Sequence, residues 1–147
     1  MTVAAEPTRK IESLYIQKET LIAAPPDVVF ETLLTPLGRM AEMNLKIEPW
    51  PGGRWFRDLG DNTGHLWGHV QVIKPPKLLE LVGPMFMSYA VASHVQYRVA
   101  EEGKNSRLTV IHQAIGLLLD EHMTGVNKGW EEILATIQAA AEEKSRK

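Results

Sequence analysis

The chain has 147 residues, a formal charge of −2 and no cysteine. That length suits one domain able to bury about two-thirds of its unfolded surface without a disulfide or metal staple. The missing cysteines exclude disulfides, thiolate nucleophiles and Cys-containing zinc sites, and the weak negative charge offers no long-range attraction to a nucleic-acid backbone.

Met1–Glu12 is small and polar, with Glu6, Pro7, Arg9 and Lys10 and no apolar stretch of the secretory kind. A flexible tail is expected over residues 1–12, a single domain over 13–147, and a cytoplasmic location. No apolar run approaches the about 20 residues that span a bilayer. Tyr15–Ile22 alternates imperfectly as a first strand. Pro25-Pro26-Asp27 breaks it and opens a short helix over Pro26–Leu34, because proline suits a first helical turn whose N–H has no partner. Thr35-Pro36 ends that helix, and Leu37–Met43 forms a second.

The texture then changes to strands. Leu45–Trp50, Arg54–Leu59, Gly64–Ile73, Leu78–Val82, Ser93–Ala100 and Ser106–Ile115 are expected strands, punctuated by Pro51-Gly52-Gly53, Gly60-Asp61-Asn62 and Pro75-Pro76. Glu101–Asn105 reads as a hairpin connection. Gly83–Ala92 has no period, although Met85, Phe86, Met87 and Tyr89 make it apolar, and Met85-Phe86-Met87 reads equally as a cavity lip, an exposed contact patch or a core strand. The last segment, about Leu118–Lys144, is an amphipathic helix: Leu119, Met123, Val126, Trp130, Ile133, Leu134, Ile137 and Ala141 recur at steps of three and four. Gly125 and Gly129 each cost up to about 1 kcal/mol there relative to alanine, so a loose start is expected.

A long terminal helix must bury its apolar stripe, and a bent sheet needs cover on its concave face. The expected class is therefore α+β: a curved antiparallel sheet around a long C-terminal helix, with two short helices after the first strand. Four stretches carry a resemblance. Ile22–Phe30, Pro51-Gly52-Gly53-Arg54-Trp55-Phe56, the run from Gly64 through Gly68 and Val70 to Ile73–Leu78, and Gly129-Trp130-Glu131-Glu132-Ile133-Leu134 together resemble the SRPBCC superfamily of START domains, polyketide cyclases and plant allergens. Within it they are most similar to the branch named for activators of a heat-shock chaperone's ATPase. The branch often carries a tryptophan after the first helices, where this chain has Met40-Ala41-Glu42-Met43. The resemblance implies a helix-grip fold with an apolar cavity between sheet and helix.

Few residues suggest chemistry. His65 and His69 lie about 13 Å apart on a regular strand, too far for one metal ion, and no HExxH is present. No metal or other cofactor is expected. In the last hairpin, apolar matching puts Val95, Tyr97 and Val99 on one face with Leu108, Val110 and His112. His94, Gln96 and Arg98 fall on the other. Trp55, Phe56, Tyr97, Val110, His112 and Trp130 are therefore the candidate cavity residues, with Tyr97 and His112 able to orient a guest. Trp55, Trp67 and Trp130 serve equally as core. No serine occupies a nucleophile turn. Three functions follow: binding of a small hydrophobic or amphipathic molecule without catalysis, a cyclase- or aromatase-like reaction, or a chaperone-associated interaction module. The first is favoured, with a protein partner or homodimer left open.

Overall fold

The computed structural model describes residues 10–147. Of the expected tail, Met1–Arg9 lies outside the described residues, and Glu12 already opens the first strand. The elements run β1 (Glu12–Ile22), α1 (Pro26–Leu33), α2 (Arg39–Glu42), β2 (Leu45–Ile47), β3 (Arg54–Gly60), β4 (Thr63–Lys74), β5 (Leu78–Gly83), β6 (Val91–Glu102), β7 (Asn105–Gly116) and α3 (Asp120–Arg146). One curved antiparallel sheet, ordered β1-β7-β6-β5-β4-β3-β2, takes α3 across its concave face. This is the expected α+β helix-grip architecture.

The last hairpin sets the register at the centre of the sheet. Glu102 pairs with Asn105, leaving a two-residue turn in which Gly103 takes φ +62°, a left-handed conformation that costs glycine nothing. From there Val99 pairs with Leu108, Tyr97 with Val110 and Val95 with His112, and all six are buried. The apolar face deduced from the sequence is thus the concave one.

Two strands depart from expectation. β2 stops at Ile47 because Glu48 turns its carboxylate onto Arg54, accepting from Nε and Nη2 at 2.9 Å each and from the backbone N–H at 2.8 Å. Those bonds draw the Glu48 pKa down to about 2. β4 carries a bulge where Trp55 pairs with Gly68 and Phe56 with Leu66. The extra residue inverts the pleat, so Trp67, Gly68 and Val70 are all buried. Gly68 and Gly83 face each other across β4 and β5 with no room for a Cβ on either. This close approach lets Met85, at φ +59°, donate its N–H to the Trp67 carbonyl at 2.8 Å. Of the aperiodic Gly83–Ala92 stretch, Gly83 ends β5, Val91 and Ala92 open β6, and the residues between are a loop folded back onto the sheet, with Met85 and Met87 buried and Phe86 at its surface.

Helix α3 is continuous through both glycines. Val126, Trp130, Leu134, Ile137 and Ala141 form its buried stripe. Its flank is fastened to the β1 end of the sheet. Lys18 pairs with Glu131 at 2.9 Å, Thr20 donates to Gln138 at 3.1 Å, and the Ala23 N–H donates to Glu142 at 2.9 Å. The imperfect alternation of β1 has its cause here, since Lys18 and Thr20 stand on the inward face to meet the polar side of the helix. Lys144 also pairs with Glu31 of α1 at 2.6 Å. Fastened on that side, α3 leaves the concavity over β4 and β5 uncovered.

Candidate functional site

The uncovered concavity is a cavity of about 650 Å³. Trp67 and Tyr97 form its floor, Met85 and Phe86 of the β5–β6 loop one end, Leu33, Met40 and Met43 the α1–α2 wall, and Val126, Trp130, Ile133 and Ile137 the α3 wall. Gly125 and Gly129 lie on that wall with nothing within 4 Å of where a Cβ would stand. Their cost to the helix is matched by open space. Arg39, Glu121 and Glu132 edge the mouth, and Arg39 reaches Glu132 at 3.7 Å between two exposed side chains. Such a pair contributes about 0–1 kcal/mol.

The structure brings two of the six sequence candidates, Tyr97 and Trp130, to this cavity. Trp55 instead borders a small separate pocket of about 40 Å³ behind the α1–α2 segment, and its ring meets Trp67 edge-on at 5.2 Å. Phe56 is covered by the Arg54 guanidinium, 4.4 Å above its ring. Val110 and His112 are fully buried on the same concave face, His112 against Trp130 of α3, and line neither pocket.

His112 is consumed by structure. Its Nδ1 accepts the Trp130 indole N–H at 3.0 Å and its Nε2 lies 3.2 Å from Ser93 Oγ. Burial pushes its pKa down to about 4, which keeps the ring neutral near pH 7. Both nitrogens have partners, and none is left for a guest.

Tyr97 differs. Its ring is 6% exposed, Trp130 meets it edge-on at 6.0 Å, and its hydroxyl has no protein partner among the described residues. Burial pushes the phenol pKa up, so it remains an O–H donor. The threonines of the wall are committed. Thr32, Thr35 and Thr136 donate to the carbonyls four residues back, at 2.8, 3.1 and 2.9 Å. The indole N–H of Trp67 is buried without a partner among the described residues.

Sequence reasoning passed over His122 of α3, and it left Phe86 open between a cavity lip, an exposed contact patch and a core strand. A signal for His122 existed. Positions 122, 125, 129, 133 and 136 step along α3 by three and four, the same period as the apolar stripe beside them. For Phe86 the sequence could not choose among its alternatives, because the placement depends on the long-range contact between Met85 and Trp67. His65 and His69 hold no third ligand: no group of three His, Asp or Glu side chains suited to a metal exists among the described residues. No helix among them is long and apolar enough to cross a membrane.

Residues 23–142 match a family model described as Activator of Hsp90 ATPase homolog 1-like protein. No curated protein matches the chain. Among solved structures, an uncharacterized protein from Rhizobium leguminosarum is similar at TM-score 0.73 and 18% identity, over 93% of this chain and 99% of its own. An AHSA1-like protein from Rhizobium etli is similar at TM-score 0.61 and 25% identity, over 89% and 83%. CalU16 from Micromonospora echinospora is similar at TM-score 0.60 and 19% identity, over 90% and 83%.

Proposed function

Since the chain belongs to the Activator of Hsp90 ATPase homolog 1-like family, we propose that it is a binding protein for a small hydrophobic or amphipathic molecule, held between the sheet, α3 and the α1–α2 segment. One observation carries this reading. A cavity of about 650 Å³ has walls of aromatic, methionine and aliphatic side chains, and few of its polar hydrogens are uncommitted. Apolar walls with a few placed polar groups are what a small-molecule site requires. Tyr97 and Trp130 would grip the guest, Trp130 by its face and Tyr97 through its free hydroxyl. The commitment of both His112 nitrogens favours binding over acid–base catalysis by that residue.

A neutral fluorescent apolar probe, N-phenyl-1-naphthylamine, tests the reading. Saturable one-to-one binding is expected to the native protein. Gly129→Trp should abolish it, since Gly129 lines the cavity with open space where a Cβ would stand, and an indole there takes up cavity volume. Equal binding by a Gly129→Trp protein that still melts cooperatively would place the probe elsewhere and remove the reading.

A further inference from the structure

The β5–β6 loop brings Tyr89 against the first turn of α3, and the two elements build a polar device on the cavity wall. Tyr89 Oη lies 2.8 Å from His122 Nδ1 and accepts the backbone N–H of Leu119 over 3.4 Å. With that N–H on an oxygen lone pair, the phenolic hydrogen is free to point at Nδ1. With the phenolic hydrogen on Nδ1, the hydrogen of a neutral imidazole sits on Nε2. The ring is held from both sides: Tyr89 stacks on it at 5.6 Å and 10°, and Phe86 meets it edge-on at 5.2 Å and 80°. Nε2 has no protein partner among the described residues, and His122 lines the cavity. Besides the buried indole N–H of Trp67, Tyr97 and His122 are thus the uncharged polar side chains lining the cavity, among the described residues, that keep an unspent hydrogen.

Resting on the binding reading above, we infer that His122 is a recognition residue whose Nε2–H, aimed by Tyr89, receives a carbonyl oxygen of a flat aromatic guest. The chemistry of the walls narrows the class. The mouth carries two carboxylates, Glu121 and Glu132, and one guanidinium, Arg39, which disfavours an anionic group there. A neutral acceptor suits a lone N–H donor. Flatness is suggested by α3, where Gly125 and Gly129 leave a strip without side chains in the cavity that the rings of Trp67 and Phe86 also line. Tyr97, on the floor, offers a second donor to a guest with oxygens at both ends.

Fluorene and fluorenone share one planar skeleton and differ in a single carbonyl, so their dissociation constants isolate the hydrogen bond. The readout is the ratio of the two constants, measured by equilibrium dialysis on the full-length protein. Fluorenone should bind about fivefold tighter to the native chain, the factor a net neutral hydrogen bond supplies. His122→Phe should bring the ratio to about one. His122→Gln, which retains an N–H, should keep part of it, and Tyr89→Phe, which releases the ring, should lower it. Should His122→Phe fail to fold, the Gln and Tyr89 variants carry the comparison. An equal affinity of the native protein for both compounds, or a ratio indifferent to these substitutions, overturns the role of His122 and leaves the cavity reading standing. Binding of neither compound overturns both.

Discussion

The indole N–H of Trp130 donates to Nδ1 of His112 over 3.0 Å, fastening α3 to the middle of β7 through the centre of the core. An indole can only donate, so Nδ1 must accept, and His112 must offer Nε2–H to Ser93 Oγ. One helix residue thereby fixes the tautomer of a strand residue and the polarity of the serine beyond it.

Substitutions at Trp130, which is 2% exposed, should separate packing from hydrogen bonding. Trp130→Phe keeps an aromatic body but strands the buried Nδ1 acceptor, and should cost about 1–3 kcal/mol. Trp130→Ala also opens a void and should cost about 3–5 kcal/mol. Urea unfolding of the three proteins would give the order. A Phe variant as unstable as the Ala variant would show that packing alone matters here.

Stability should fall as the solution is acidified through the range set by His112. The unfolded chain takes up its proton near pH 6.5, whereas the folded chain resists until about pH 4 because burial penalises the imidazolium. Protonation therefore favours unfolding. The contribution is complete above pH 6.5, is lost as pH falls toward 4, and amounts to about 3 kcal/mol. Comparing chemical denaturation at pH 7 and pH 4.5 with a His112→Gln protein isolates it from the carboxylates, since the variant should lack this component of the slope.

Gly125 and Gly129 should oppose stability to binding. Neither position has an atom within 4 Å of a would-be Cβ, so alanine fits at both and should raise stability by up to about 1 kcal/mol per site. The same methyl groups narrow the cavity. Thermal melts and probe titrations of the double alanine variant should move in opposite directions, with a higher Tm and weaker probe binding.

Zinc and calcium should leave the melting temperature unchanged. His65 pairs with Arg57 on one side of the β4 bulge and His69 with Arg54 on the other, and no third ligand joins them among the described residues. Saturable stabilisation at micromolar metal would contradict this.

Sequence periodicity alone determined the element order, the concave face of the β6–β7 hairpin and most of the buried stripe of α3, although Met123 and Ile133 of that pattern are only partly buried. These are local properties: a pleat repeats every two residues and a helix every 3.6, so an apolar pattern fixes which side is inward. Trp130 could be placed in the core for that reason. What the pattern could not decide was depth. Val110, His112, Tyr97 and Trp130 all lie on inward faces, yet only Tyr97 and Trp130 reach the cavity, because α3 is fastened by Glu131, Gln138 and Glu142 to the β1 end of the sheet and covers the first pair. The bulge at Trp67 and the fold-back of the β5–β6 loop were equally hidden, since each depends on a backbone approach between residues far apart in sequence. That approach brings Phe86 to His122, and Tyr89 follows in the same loop. The chain's own pattern specified which residues face inward. Only the tertiary packing of one helix against one edge of the sheet decided which of them meet empty space.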